Sequence, residues 1–377
     1  MTNVMGSYRR GWLALAAALP LAFVVSACGS SSSSSTSAAA SSGSSSGSSS
    51  GSGGGAPSVP YTGPERSLPH TLAAPTVKPG FHYKAGYMSP YAAIPSLAAA
   101  INGARAETQK LGGTFILKDG QLNPNLQATQ INELSSQGVN VMMVYPVNPA
   151  ALLPGIAAAR KAGIQIVMED TPPVAGSPLI PGSSTDILQG RDAGEYSLAQ
   201  AAAKAQPGGQ FVNLGLAVPV PLLQYGVKRD TYWAQKFGMK YLGEVDTTTD
   251  TPGGAATTMT SILAKYPNVK VVFAYNDQAA DAAAAVARSS GKTDIKVFGD
   301  NGDPVSLQEI QAGRVFGTFN SDFTSIGRLQ AIAAYDLVTK QHLPLPQQVS
   351  VGGLLITKAN SANANPEGDK GILPPVQ

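Results

Sequence analysis

The sequence is short of the residues that most catalytic and metal chemistry requires. It has one cysteine, Cys28, so no intrachain disulfide can form, and its three histidines, His70, His82 and His342, lack metal-ligand spacing. There is no strand-borne Gly-x-Ser-x-Gly nucleophile elbow and no Gly-x-Gly-x-x-Gly cofactor loop. These absences argue against an enzyme, a resident metal ion or a cofactor. Charge is sparse as well: 13% of the 377 residues are charged, with a net charge of +3. Lys and Arg come no closer together than pairs such as Arg9-Arg10 and Lys228-Arg229. Nucleic-acid binding needs a basic stripe that displaces phosphate counterions, and none is visible. Gly291-Lys292-Thr293 ends a phosphate-loop pattern without its upstream glycine, and Asp300-Asn301-Gly302-Asp303 lacks EF-hand spacing; both read as turns.

What is present begins with an export signal. Arg9 and Arg10 precede the apolar stretch Gly11 to Val25, which is too short for a confident membrane span. Val25-Ser26-Ala27-Cys28 resembles the bacterial lipobox, which implies a signal peptide over 1–27 and lipid attachment at Cys28. Gly29 to Gly55 is almost wholly Ser, Gly and Ala, a composition that cannot offset its ordering entropy by burial. With the Pro-rich stretch that follows, residues 28–79 are expected to form a disordered tether averaging roughly 40 Å end to end.

From Phe81 the pattern changes to strands alternating with helices, which implies right-handed βαβ units and parallel sheets. A first run has strands over Phe81–Met88, Thr114–Lys118, Val139–Tyr145 and Ile164–Met168. After a Pro-rich loop the alternation resumes, with a short strand expected over Leu179–Ser183 and a helix over Ile187–Ala205. Val269 to Ala274 reads as a strand buried on both faces, leading into an Ala-rich helix from Gln278. Asn276 and Asp277 stand at the N-cap, where open α/β sheets place their ligands, so Asp277 reads equally as a helix cap or as a ligand contact. A single strand is expected over Val349–Ile356, and the chain after Thr357 reads as unstructured.

Several stretches resemble the type I periplasmic substrate-binding proteins of ribose-binding and lac-repressor-core type. They are NPNLQATQINELSSQGVNVMMVYPVNPAAL, AGIQIVMEDTPP, SSTDILQGRDAGEY, YPNVKVVFAYNDQAADAA and IKVFGDNGDP. The resemblance implies two doubly wound parallel α/β lobes joined by a three-stranded hinge, with a ligand in the cleft. The first lobe is expected over 80–184 plus 321–348, the second over 185–320 plus 349–358, and a flexible tail over 359–377. It further implies ligand contacts at Tyr91, Asp170, Asp186, Arg229, Asp277, Asp300 and Asn320. Carboxylates, amides and guanidinium suit the hydroxyls of a sugar or other polyhydroxylated molecule. Glu169 is expected on the opposite side of its strand, solvated or salt-bridged.

The pattern also departs from the family. Met88-Ser89-Pro90-Tyr91 carries one clear aromatic where two commonly stack on the sugar, and Arg229-Asp230-Thr231-Tyr232-Trp233 lacks a glycine. Tyr91 and Tyr225 could wall the pocket, while Trp233 reads as core. The implied role is a lipid-anchored, extracytoplasmic, monomeric binding protein that delivers its ligand to an ABC permease. A sensory binding protein on the same fold, or a binder of another small metabolite, are the alternatives. A transcription regulator on this core would need a DNA-binding segment where the export signal stands.

Overall fold

The computed structural model describes residues 68–364. The expected signal peptide, Cys28, most of the tether and the chain from residue 365 lie outside the described residues. The first lobe contains β1 (Tyr83–Ser89), α1 (Pro95–Lys110), β2 (Gly113–Asp119), α2 (Pro124–Ser136), β3 (Val141–Val144), α3 (Pro149–Lys161), β4 (Gln165–Glu169) and β5 (Thr185–Leu188). The second contains α4 (Arg191–Ala205), β6 (Gln210–Leu216), α5 (Pro221–Lys236), β7 (Lys240–Thr247), α6 (Pro252–Lys265), β8 (Val271–Ala274), α7 (Asp277–Ser289), β9 (Lys296–Asp300), α8 (Pro304–Gln311) and β10 (Gly317–Ser321). The chain then returns through α9 (Phe323–Thr339) and β11 (Gln348–Ser350) to the first lobe, and ends with β12 (Gly353–Thr357) in the second.

Each lobe is built on a six-stranded sheet, ordered β2-β1-β3-β4-β5-β11 in the first and β7-β6-β8-β9-β10-β12 in the second. Every pairing is parallel except β10 with β12. The central strands VMMV of β3 and VVFA of β8 are buried throughout, as strands covered by helices on both faces must be. Helix starts follow local chemistry: Asn123, Asn148, Thr251, Asn276 and Asp322 each accept a first-turn backbone N–H.

Five expectations are corrected. Leu179–Ser183 is not a strand, because Pro178 and Pro181 deprive it of ladder donors. Thr185–Leu188 forms β5 instead and lies in the first sheet, so that lobe runs through Leu188 and the following helix begins at Arg191. The single strand expected near the C-terminus divides at Val351-Gly352 into β11, which pairs with β5, and β12, which pairs with β10. Residues 68–79, expected within the tether, run along the first lobe: the Ser350 N–H donates to Pro69 O (3.0 Å) and the Lys78 N–H to the Tyr335 hydroxyl (2.8 Å). Finally, residues 358–364 form a turn and a 3-10 helix, in which Asn360 Oδ1 accepts the Thr357 N–H (2.8 Å).

Three crossings join the lobes, after β5, after β10 and between β11 and β12. They bond to one another: the Val351 N–H donates to Leu188 O (2.8 Å), the Asp322 N–H to Gly352 O (3.1 Å), and the Ser321 hydroxyl to Gln189 O (2.9 Å). Gly190 sits at φ 74°, and a Cβ there would lie 2.4 Å from the Val351 carbonyl oxygen. Both the backbone angle and the contact require glycine. Gly190→Ala is therefore expected to lower stability by about 2 kcal/mol or more, read by denaturant unfolding. An unchanged unfolding midpoint would contradict this packing.

Candidate functional site

In each sheet the strand order reverses beside the first strand of the lobe, between β1 and β3 and between β6 and β8. Open α/β sheets form their crevice at such switch points, beyond the carboxyl ends of the strands. A cavity of about 40 Å³ lies there between the lobes. Its polar lining comes from Tyr91 after β1, Tyr145 after β3, Gln189 and Arg191 at the first crossing, Asp250, Tyr275 and Asn276 around β8, and Asn301 after β9. Its apolar lining is Pro90, Ile94, Leu97, Leu122, Val220, Leu223 and Phe323. An aliphatic cluster continues from it across the lobes: Tyr145 and Val147 pack with Val220 and Leu222, joined by Leu97, Leu122, Val218 and Leu223.

Asn276 has two tasks. Its Oδ1 accepts the Ala279 N–H (2.9 Å) and caps α7, while its Nδ2 donates to Asp250 Oδ1 (3.1 Å) at the cavity. The Tyr275 hydroxyl donates to the same Asp250 oxygen (2.7 Å). Arg191 opens α4 and is buried. Its guanidinium pairs closely with Asp300, reaches Glu195 at 3.5 Å and donates to Asn301 Oδ1 (3.1 Å). Burial disfavours the guanidinium's charge, but Asp300 and Glu195 outweigh that and hold it firmly protonated. Burial pushes the Asp300 carboxyl well up, although Arg191 opposes the shift; Glu195 and Asp230 are raised chiefly by burial too.

The expected contact residues separate into three groups. Tyr91 lines the cavity. Asp170, Asp277 and Asp300 stand one step behind it, each bonded to or next to a lining residue. Asp170 Oδ1 accepts the Gln189 N–H (2.9 Å); Asp277 follows Asn276 and its Oδ2 accepts the Asp303 N–H (2.7 Å); Asp300 holds Arg191. Asn320 is buried on β10 against the Gly302 turn, again behind Asn301. Asp186 and Arg229 lie outside the cavity lining. Asp186 clamps the chain after β4, both carboxylate oxygens accepting the Thr171 N–H (3.1 Å). Arg229 ties α5 to α4 through Asp192 (2.8 Å), with its guanidinium 5.4 to 5.9 Å from the ring centres of Tyr225, Tyr232 and Trp233. Tyr225 belongs to that strut rather than to the cavity wall, and Trp233 packs on the core of the second lobe.

Glu169 corrects another expectation. It is fully buried and pairs with no cation among the described residues; it accepts from Gln189 Nε2 (2.9 Å), Gln330 Nε2 (3.0 Å) and the Tyr87 hydroxyl (3.4 Å). Burial pushes its carboxyl up to about 7 and that of Asp186 up to about 8. Asp170 is raised by burial and by these two neighbours. Of the polar residues that line the cavity, Tyr145, Gln189, Arg191, Asp250, Tyr275 and Asn301 are not among the contacts expected from the sequence. Their position at a strand end or a crossing is the signal that could have found them.

These carboxyls carry a pH dependence whose sign follows from the shifts. Between about pH 4 and pH 8 the folded chain holds protons on Glu169 and Asp186 that the unfolded chain has released, so stability falls as pH rises. The melting temperature is expected to decline from about pH 5 to pH 8, and Asp186→Asn, which keeps one acceptor for Thr171, should flatten the decline. A parental slope in that variant would remove Asp186 from the explanation.

A model of the periplasmic binding protein domain matches residues 85–342. The ribose import binding protein of Escherichia coli strain K12 is 26% identical over 226 residues, 59% of this chain and 74% of that protein. The ribose import binding protein of Bacillus subtilis strain 168 is 26% identical over 249 residues, 65% of this chain and 78% of that one. Among solved structures, an ABC transporter solute-binding protein of Mycobacterium smegmatis with bound glycerol superposes with a TM-score of 0.67 at 24% identity, covering 75% of this chain and 96% of its own. A Caulobacter myo-inositol binding protein gives a TM-score of 0.67 at 21% identity, covering 76% and 97%. The family match spans both lobes and most of the described residues. The chain belongs to the type I periplasmic binding proteins of the ribose-binding family.

Proposed function

We propose that this protein is the solute-binding component of an ABC importer and takes up a sugar or other small polyol in the interlobe cavity. The observation that carries this reading is the cavity lining itself. Amide, guanidinium and phenol groups converge from both lobes and the hinge at the two switch points, beside an aliphatic wall. A polyol offers hydroxyls to the first set and C–H surface to the second. Leu97, Leu122, Val220 and Leu223 supply the apolar contact that aromatic stacking gives elsewhere, with Tyr91 the aromatic left from the expected pair. The names of the relatives agree in class: two curated relatives are ribose import proteins, and structural neighbours hold glycerol and myo-inositol.

Ligand uptake would proceed by hinge motion. A cavity of about 40 Å³ has room for roughly three waters, so a sugar enters only when the lobes part. A ligand that bridges Asn276 and Asn301 on one lobe with Tyr91 and Tyr145 on the other favours the approach of the lobes, and the joined form is what a permease would recognise. Periplasmic binding proteins work outside the cytoplasm, and the lipobox-like sequence at Cys28 would tether this one to the membrane.

A thermal-shift screen against sugars and polyols tests the proposal, since a ligand of the native state raises its melting temperature. With the best binder, Asn301→Ala and Asn276→Ser should weaken calorimetric affinity about 10- to 100-fold, the cost of leaving buried hydroxyls unpaired. Serine keeps the N-cap of α7, so folding should be preserved. Failure of every sugar and polyol to stabilise the protein, or parental affinity in both variants, would overturn the reading.

A further inference from the structure

Helix α1 of the first lobe begins without a cap of its own. Its N-cap residue is Ile94, among the poorest choices, and no side chain of its own segment satisfies the first-turn N–H groups. Asp303 of the second lobe stands at the N-cap of α8 but makes no side-chain bond to that helix. Its Oδ1 instead accepts the Ser96 N–H of α1, across the lobes, at 3.0 Å. Ser96 is 4% and Asp303 3% exposed, so water does not compete for the bond. The loop that carries the carboxylate is fixed from behind, since the Asp303 N–H donates to Asp277 Oδ2 (2.7 Å). An anionic side chain at a helix N-terminus also meets the positive end of the helix dipole.

We propose that Asp303 caps α1 in trans and so latches the two lobes together without ligand. The role assigned is a positioning one: neither Ser96 nor Asp303 lines the cavity, so the latch sets how often the lobes meet rather than what they hold. It rests on the hinge motion proposed above. The loss of a helix cap corresponds to about a 2- to 30-fold change in an equilibrium, and that is the range expected for the balance between parted and joined lobes.

The test needs no ligand. In a Cys28→Ser background, nitroxides at Asn125→Cys and Thr257→Cys, both exposed and on opposite lobes, report the interlobe distance by electron–electron resonance. The parent should show mainly the short distance of this structure. Asp303→Ala should add a longer population within the range given, and Asp303→Asn, whose amide oxygen still accepts from Ser96, should stay within about twofold of the parent. Ser96→Pro removes the donor one residue after Pro95 and, where circular dichroism shows the helix content of the parent, should match Asp303→Ala. The two together should do no more than either alone, as coupled partners must. Should Asp303→Ala not fold, Ser96→Pro and Asp303→Asn decide the matter. Parental distances in Asp303→Ala or Ser96→Pro, or simple addition in the double variant, would overturn the latch. An unliganded parent that shows only the longer distance would overturn it as well, while leaving sugar binding and hinge motion to stand on their own tests.

Discussion

The site depends on one buried charge. Arg191 stands where the chain first crosses between the lobes, and its guanidinium cannot remain there without anions at hand. Asp300 from the end of β9 and Glu195 one helical turn on supply them, and Asn301 accepts a further N–H. That pairing fixes the start of α4 against the end of β9, and with it the orientation of Asn301 and the floor of the cavity. Burial raises the proton affinity of the carboxyls around Arg191, and the guanidinium offsets that only in part. Arg191 opposes the rise at Asp300 and Glu195, and Arg191 with Arg229 opposes it at Asp230.

The architecture was legible in the sequence because period and punctuation repeat so regularly. Runs such as VMMV and VVFA can only be strands sheathed on both sides, and Asn-Pro pairs announce helix starts. The crossings were harder to read. Ser350-Val351-Gly352-Gly353 looks like the middle of one strand, yet the chain leaves one sheet and joins the other there, and only tertiary pairing reveals it. The error at Leu179 has the same origin: a short apolar run between prolines competes with Thr185–Leu188, and the edge supplied by β11 decides the contest.

Most of the expected contact residues lie one layer behind the cavity lining. At the end of β8 the expected contact was Asp277, but Asn276 reaches the cavity and Asp277 turns inward to hold the Asp303 loop. At the end of β9 the same exchange occurs between Asp300 and Asn301. In both pairs neighbouring residues at the strand-to-helix turn divide between lining the cavity and supporting the lining from behind. Arg229 lies outside the cavity lining for another reason. A buried arginine on a helix resembles a ligand clamp in sequence, and nothing short of the fold reveals that Asp192 and three aromatic rings occupy it. Polar groups thus form two layers, an inner one of amides and phenols with Arg191 and Asp250, and an outer one mainly of carboxyls that position them.

The central claim is that the cavity between the switch points is where a polyol is held. A crystal structure of the protein with its tightest-binding sugar or polyol tests this most directly. The account expects the ligand between the lobes, within hydrogen-bond distance of Asn276, Asn301 and Arg191, with its C–H face toward Leu97, Leu122, Val220 and Leu223. A ligand bound elsewhere on either lobe, or one in the cleft that leaves those three polar side chains unengaged, would contradict it.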